Sequence, residues 1–277
     1  MRSLILVNGN NEEYDLLDPA KSPTFQVEGF GLEDETDFVR IGNGFFPLEE
    51  VTAQQALSMT LLFWKDHAAA YERFVRFARR DPLFFLYESN GRKYRIPCRL
   101  TKITKTEISG KRFYACDTTF ALTGMPYIVK SAICLDDDSN GKTYDYEYDF
   151  AYSSLFPNTV IIKSESYVES PCILTIYGRA VNPVWRHYVE GKLVESGAYA
   201  GTIPAGHSLV IDSQGMPHSI TEYDSSGAVV ADRYPLCDFG TERFMWACEG
   251  ENRYVVSHDD VNTLKIMAEA YISYETV

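Results

Sequence analysis

The stretch from residue 173 to residue 212 limits the fold more than any other. Its short apolar alternations are cut at close intervals by turn residues: Asn182-Pro183, then Glu190-Gly191, then Pro204-Ala205-Gly206. Segments this short fit strands, in which every second residue can face a core. The punctuation continues downstream. The apolar run 209–211 ends at Asp212-Ser213-Gln214-Gly215, and the runs 219–223 and 229–230 flank Asp224-Ser225-Ser226-Gly227. Leu264, Ile266, Ala268, Ala270 and Ile272 share one face of a last strand. Turn signals at this spacing predict a β-sandwich.

The front of the chain also reads as mainly β, with one helix. Residues 4–7, the Asn8-Gly9 turn and residues 14–17 predict strand, turn, strand. Residues 25–27 and 38–41 are further short strand candidates. The stretch 29–50, with four glycines and the acidic run Glu33-Asp34-Glu35, reads as an extended loop. It lacks the Lys-Ser/Thr and helix start that a phosphate-cradling loop needs. A loop of that length calls for a function or a partner to order it. In residues 54–64 Leu57, Leu61 and Trp64 would suit a helix face, but the longer alternation with a period of two and the β-branched Thr60 favour a strand. A helix over about 66–80 follows. Asp66 can cap it, Tyr71, Phe74, Val75 and Ala78 form its apolar stripe, Glu72 and Arg76 pair at i,i+4, and Asp81-Pro82 stops it. Strands at 83–87, 93–100 and 111–122 come next. Arg92, Lys93, Arg95, Arg99, Lys102, Lys105, Lys111 and Arg112 make this the most basic region, which reads as the solvated face of a sheet. Gly124-Met125-Pro126 is the expected boundary between an N-terminal domain, 1–125, and a C-terminal domain, 126–277.

Function classes narrow by chemistry. The chain has 277 residues and a formal net charge of −13, which opposes sequence-specific nucleic-acid binding. Asp136-Asp137-Asp138-Ser139-Asn140-Gly141, with Glu147 beyond, matches the calcium-loop pattern D-x-[DN]-x-[DN]-G-x5-E. Its flanks read as strands rather than the two helices that loop requires, so an acidic turn is the better reading. The six cysteines, Cys98, Cys116, Cys134, Cys172, Cys237 and Cys248, show no CxxC or zinc spacing and read as free buried thiols of a reducing compartment. The five histidines, His67, His187, His207, His218 and His258, form no HxH or HExxH motif. Gly206-His207-Ser208-Leu209-Val210 lacks the last glycine of a nucleophile elbow. No secretion signal and no membrane span are expected. The residue pattern therefore predicts no catalytic, cofactor-binding or metal site. Trp64, Trp185 and Trp246 are the aromatics on which a sandwich could stack a sugar, although a tryptophan in a sheet is more often buried.

The order of the turns carries a resemblance. Ile176-Tyr177-Gly178, Val181-Asn182-Pro183, Gly191-Lys192-Leu193, Thr202-Ile203-Pro204-Ala205-Gly206 and Leu209-Val210-Ile211-Asp212 follow one another. Ser219-Ile220, Phe244 and Glu249-Gly250-Glu251-Asn252 come after them, and at the front stand Val7-Asn8-Gly9 and the helix before Asp81-Pro82-Leu83. In this order the chain resembles the distal tail proteins of siphophages that infect Gram-positive bacteria. The resemblance implies an N-terminal β domain with one helix that closes into a homo-hexameric ring, and a C-terminal galectin-like, carbohydrate-module-like sandwich. It further implies a place at the virion tail tip, between the tail-tube protein and the tail-tip hub protein (the tail-associated lysin), with assembly in the host cytoplasm. Attachment of a receptor-binding protein belongs to the same picture. The alternative function is a carbohydrate-binding sandwich for a host cell-wall glycan, and an enzyme such as a glycosidase ranks below both. The resemblance implies no cofactor, no catalytic residues and no membrane partner. Within it, the stretch 29–50 is the expected arm that reaches a neighbour.

Overall fold

The computed structural model describes residues 3–18, 23–31, 34–107, 113–134, 157–241, 244–260 and 264–277. The acidic stretch 136–147, together with Lys111 and Arg112, lies outside them. The chain divides into two units, Met1–Ile128 with Tyr274–Val277, and Val129–Ser273.

In the first unit the strands are β1 (Ser3–Val7), β2 (Glu13–Asp15), β3 (Thr24–Glu28), β4 (Asp34–Ile41), β5 (Gly44–Thr52) and β6 (Ala56–Phe63). Helix α1 (His67–Ala78) follows, then β7 (Leu83–Ser89), β8 (Arg92–Ile103), β9 (Thr106–Glu107), β10 (Tyr114–Leu122) and the start of β11 (Tyr127–Cys134). The main sheet runs β2-β1-β7-β8-β10-β6-β3, with all of these neighbours antiparallel. Alternation of apolar and polar residues turns Leu57, Met59, Leu61 and Phe63 of β6 inward, which settles residues 54–64 as strand. Leu4 and Leu6, Phe85, Ile96 and Phe120 complete the same core. The helix lies over it by the stripe its spacing predicts. Phe74 meets Tyr14 at 5.1 Å edge-on and Phe63 at 5.7 Å. Tyr14 is on β2 and Phe63 on β6, so one ring joins two well-separated strands and the sheet curls around the helix. Burying a phenylalanine of this kind is worth about 1.5–3 kcal/mol. Glu72 and Arg76 do pair, at 3.6 Å. Asp66 is no side-chain cap: with φ 43° it is left-handed, and its carboxylate makes no capping bond. The helix instead opens on the Ala70 amide donating to the Asp66 carbonyl at 2.8 Å.

The second unit is a two-sheet sandwich. Its further strands are β12 (Thr159–Ser164), β13 (Ser170–Tyr177), β14 (Ala180–Val181), β15 (Val184–Val189), β16 (Lys192–Tyr199), β17 (Thr202–Ile203) and β18 (Ser208–Asp212). After them come β19 (Ser219–Tyr223), β20 (Val229–Asp232), β21 (Cys237–Phe239), β22 (Trp246–Ala247), β23 (Gly250–Ser257) and β24 (Ile266–Ser273). One sheet is ordered β11-β24-β13-β18-β19-β20 and the other β12-β23-β15-β16-β21. Cys172, Leu174 and Ile176 of β13 and Ala268, Ala270 and Ile272 of β24 point inward from the first sheet; Trp185, His187, Tyr254 and Val256 do so from the second. Asn182-Pro183, Glu190-Gly191 and Pro204-Ala205-Gly206 all fall between strands, as their chemistry requires.

Candidate assembly surface

Residues 29–50 are not an extended loop. Most of the stretch is a hairpin of β4 and β5, and these two strands form a sheet of their own. Gly42, with φ 62°, and Asn43 close it, and Ile41 stands opposite Gly44. Phe38 pairs with Pro47, Val39 with Phe46 and Arg40 with Phe45, while a bulge between Asp37 and Phe38 leaves Leu48 without an opposite residue. Opposite residues share a face. One face of the ribbon therefore carries Phe38, Pro47 and Phe45, and the other carries Val39, Phe46 and Ile41. Both faces are open: Phe45 is 68% exposed, Leu48 70%, Ile41 62% and Phe38 60%. An isolated two-stranded hairpin is marginal in water. Apart from Arg40, opposite Phe45, the tip of this one is apolar on both sides, and among the described residues no third strand pairs with it.

The outer face of the curled sheet differs in character. Lys93, Arg95 and Arg99 alternate along β8 and point outward, and Lys102 joins the row after a bulge. This is the solvated basic face that the sequence predicts. Half-exposed apolar residues border it: Ile5 opposite Leu86, and Phe84 opposite Pro97. The Arg95 guanidinium sits 5.6 Å from the Phe84 ring centre. Acidic groups stand beside the row as well: Glu88 opposite Lys93, Asp81 3.9 Å from Arg99, Asp117 on the outward face of β10 two residues from Thr119, the partner of Lys102, and Asp15 opposite Ile5.

The reactive side chains lead elsewhere. His187 is wholly buried between Glu195 and Asn252, with its Nδ1 at 3.0 Å from Glu195 Oε2 and its Nε2 at 3.0 Å from Asn252 Oδ1. Asn252 Nδ2 donates to the Cys248 and Gly250 carbonyls, so its Oδ1 is the acceptor and the His187 Nε2–H donates. Glu195 Oε2 also accepts from the Trp246 amide at 2.9 Å. The network ties β15, β16 and β23 together and has no access to solvent. His207 and Arg233 converge on buried Glu222, at 2.6 Å for Nδ1 and 2.7 Å for Nε. Burial alone would raise the Glu222 pKa; the hydrogen bonds from His207 and Arg233, with their charges, outweigh it and leave the pKa lowered. His67 packs edge-on against Tyr114, and His218 contacts the rings of Phe244 and Trp246. Among the described residues, no group of three or more His, Cys, Asp or Glu is placed to hold a metal ion. The six cysteines are free thiols; Cys98, Cys116, Cys134 and Cys172 are buried, and Cys237 and Cys248 are half-buried. Burial pushes the Cys172 thiol up to about 12 and the Cys237 thiol up to about 11.

Trp185 offers no face for a sugar. It is 2% exposed, lies opposite Gly197 and meets Phe239 edge-on. Its alternation with His187 on the inward face of β15 was the signal that places it in the core. Trp64 is half exposed, under the Lys65 ammonium.

The turn motifs meet in space as backbone clasps. The Gly9 amide donates to the Arg80 carbonyl at 3.0 Å, and a Cβ on Gly9 would come within 2.1 Å of the Asp81 carbonyl oxygen. Asn8 Oδ1 accepts from the amides of Asn10 and Glu12, and Arg80 grips Glu12 with contacts of 3.0 and 2.9 Å. Val7-Asn8-Gly9 and the segment before Pro82 are thus one contact. In the second unit the Gly178 amide donates to the His207 carbonyl, and a Cβ on Gly178 would strike the Pro204 carbonyl. Glu190 accepts from the Glu251 amide at 2.7 Å, joining the Glu190-Gly191 turn to Gly250-Glu251-Asn252.

A curled β frame bearing an uncovered apolar ribbon has the form of an assembly subunit. Residues 3–123 match the family model described as distal tail protein, N-terminal domain, and this part of the chain is identified as that domain. Among solved structures, a chain of the phage P2 baseplate in its activated conformation with calcium aligns over 100% of both chains, with TM-score 0.65 and 12% identity. The Dit protein of phage SPP1, described as a paradigm of the hub adsorption apparatus in phages infecting Gram-positive bacteria, aligns over 97% of this chain and 98% of its own. Its TM-score is 0.62 and its identity 8%. At these identities the likeness is one of fold. No curated protein sequence matches the chain.

Proposed function

We propose that this protein is the structural hub at the distal end of a phage tail. Six copies close into a ring through the N-terminal part, residues 1–125, and the ring joins the tail tube to the tail-tip hub protein. The C-terminal part, residues 126–277, anchors host-binding components such as a receptor-binding protein. The protein is assembled in the host cytoplasm, resides in the virion tail and catalyses no reaction. The observation that carries this reading is the β4–β5 ribbon, apolar and uncovered on both faces, which neighbouring copies in a ring would cover. The family match over residues 3–123 and the baseplate and hub contexts of the similar structures support it. The test is light scattering on the purified full chain across a concentration series. A six-chain mass supports the ring, and a single-chain mass of 31.4 kDa at every concentration overturns it. Burial of Trp185 takes one of the three candidate tryptophans from the glycan-binding alternative, and the family match of residues 3–123 favours the structural reading over it.

A further inference from the structure

We propose that the root of the β4–β5 arm is yoked to the crossing, the place where the chain leaves the first unit after Ile128 and returns to it at Tyr274, so that a displacement at either is felt at the other. The arm stands on two legs. Residues 29–31 are the first, and residues 53–55, directly after β5, are the second. Gly29 is the pivot. Its φ is 108°, and a Cβ there would come within 2.1 Å of the Ala56 carbonyl oxygen, so the first leg is pressed against the start of β6. Gly31 has open space around it. Gln55 Nε2 donates to the Gly31 carbonyl at 2.6 Å and ties the two legs together.

Each leg has its own path to the crossing. From the first leg a file of rings runs over the inner face of the sheet. Phe30 stacks on Tyr87 at 4.6 Å with the planes 24° apart, Tyr87 stands opposite Tyr94, and Tyr94 meets Tyr274 edge-on at 5.4 Å. Opposite residues of paired strands are direct neighbours on one face, so the file is continuous. The Tyr274 amide donates to the Pro126 carbonyl at 2.8 Å, and the file thereby ends on both passages of the chain. From the second leg, Gln54 Nε2 donates to the Leu122 carbonyl at 3.3 Å, and the Leu122 amide donates to the Gln55 carbonyl at 2.9 Å. A cleft of about 290 Å³ lies between this leg and the crossing, lined by Gln54, Gln55, Thr123, Met125, Pro126 and Glu275. Close-packed side chains transmit a displacement, whereas the cleft leaves the second leg room to swing. Such coupling is reciprocal. Under the hub reading, on which this use of the device rests, a pull arriving at the crossing from the host-binding part reaches the assembly arm.

The test is hydrogen exchange of the full chain, read at the crossing while the arm root is changed. Phe30→Ala removes the first ring of the file. It speeds exchange in residues 120–126 and 272–277 at least about fivefold, the low end of coupling between two sites, and leaves helix α1 exchanging as in the parent. Phe30→Tyr keeps a stacked ring and exchanges as the parent does. In a Tyr94→Leu chain, which keeps an apolar side chain but cuts the file, Phe30→Ala adds nothing at 272–277. Unchanged exchange at 272–277 in Phe30→Ala overturns the proposal. So does an equal rise in α1, which marks a general loosening of the unit, and so does an undiminished effect of Phe30→Ala in the Tyr94→Leu chain. Parent and variants are compared at equal native mass, read by light scattering. A single-chain mass at every concentration rejects the ring reading, while the exchange pattern alone decides the coupling.

Discussion

At the scale of single residues, this molecule uses its distinctive groups for packing. Gly197 lies opposite Trp185, and a Cβ there would approach the ring to 2.4 Å from Cζ2. The ring is 2% exposed and meets Phe239 edge-on. Gly197→Ala is therefore expected to destabilise the sandwich by about 1–3 kcal/mol, read as a lower thermal midpoint of the second unit; an unchanged midpoint would show that the ring is free to shift. Glu222 gives a pH signature. Its pKa is lowered in the folded state, so its stabilising contribution is complete above the ordinary carboxylate range, about 4.3, and is lost as the pH falls through the folded value. Acid unfolding of Glu222→Gln should show a shallower loss of stability over that window than the parent chain. Parallel curves for the two proteins would remove Glu222 from the acid response. The turn residues make the same point: Gly9 and Gly178 are needed because carbonyls occupy the place of a Cβ, and residues of that kind are readable in a sequence as a pattern before their partners are known.

At the scale of elements, what was legible follows from periodicity. Residues 54–64 read as a strand because one side of β6 faces the core and the other does not, which is what a period of two records. Helix α1 was equally plain from its stripe. The arm was not. Its apolar residues occupy both faces, which erases the alternation, and Pro47 in β5 reads as a break although it is tolerated in a two-stranded ribbon with open edges. Only residues 38–41 stood out as strand. Asp66 looked like a cap because its side chain suits one, and its left-handed backbone, which the sequence does not reveal, takes that role away. The arm also makes a prediction at this scale. Phe45→Ser with Phe46→Ser should leave the stability of the first unit within about 0.5 kcal/mol of the parent, since neither ring adds to its core. The same change should weaken self-association at least about tenfold, the effect of losing roughly 1.4 kcal/mol of contact. A folded variant that associates as the parent does would release the arm from any part in assembly.

At the scale of the whole molecule, the sandwich was legible from the spacing of its turns, and the order β11-β24-β13-β18-β19-β20 was not, because nonlocal pairing leaves no local trace. The candidate surface was hidden for a related reason. Only the pairing of β4 with β5 shows that Phe38 and Phe45 share one face of the ribbon and Val39 and Phe46 the other. Among the described residues, His187 and His207 are each held by a carboxylate, Glu195 and Glu222. The central claim is that the ribbon holds copies together. The measurement that tests it most directly is the native mass of the full chain beside that of Phe45→Ser with Phe46→Ser at equal concentration. The account predicts a six-chain ring for the first and a shift to single chains for the second; equal masses for the two would contradict it.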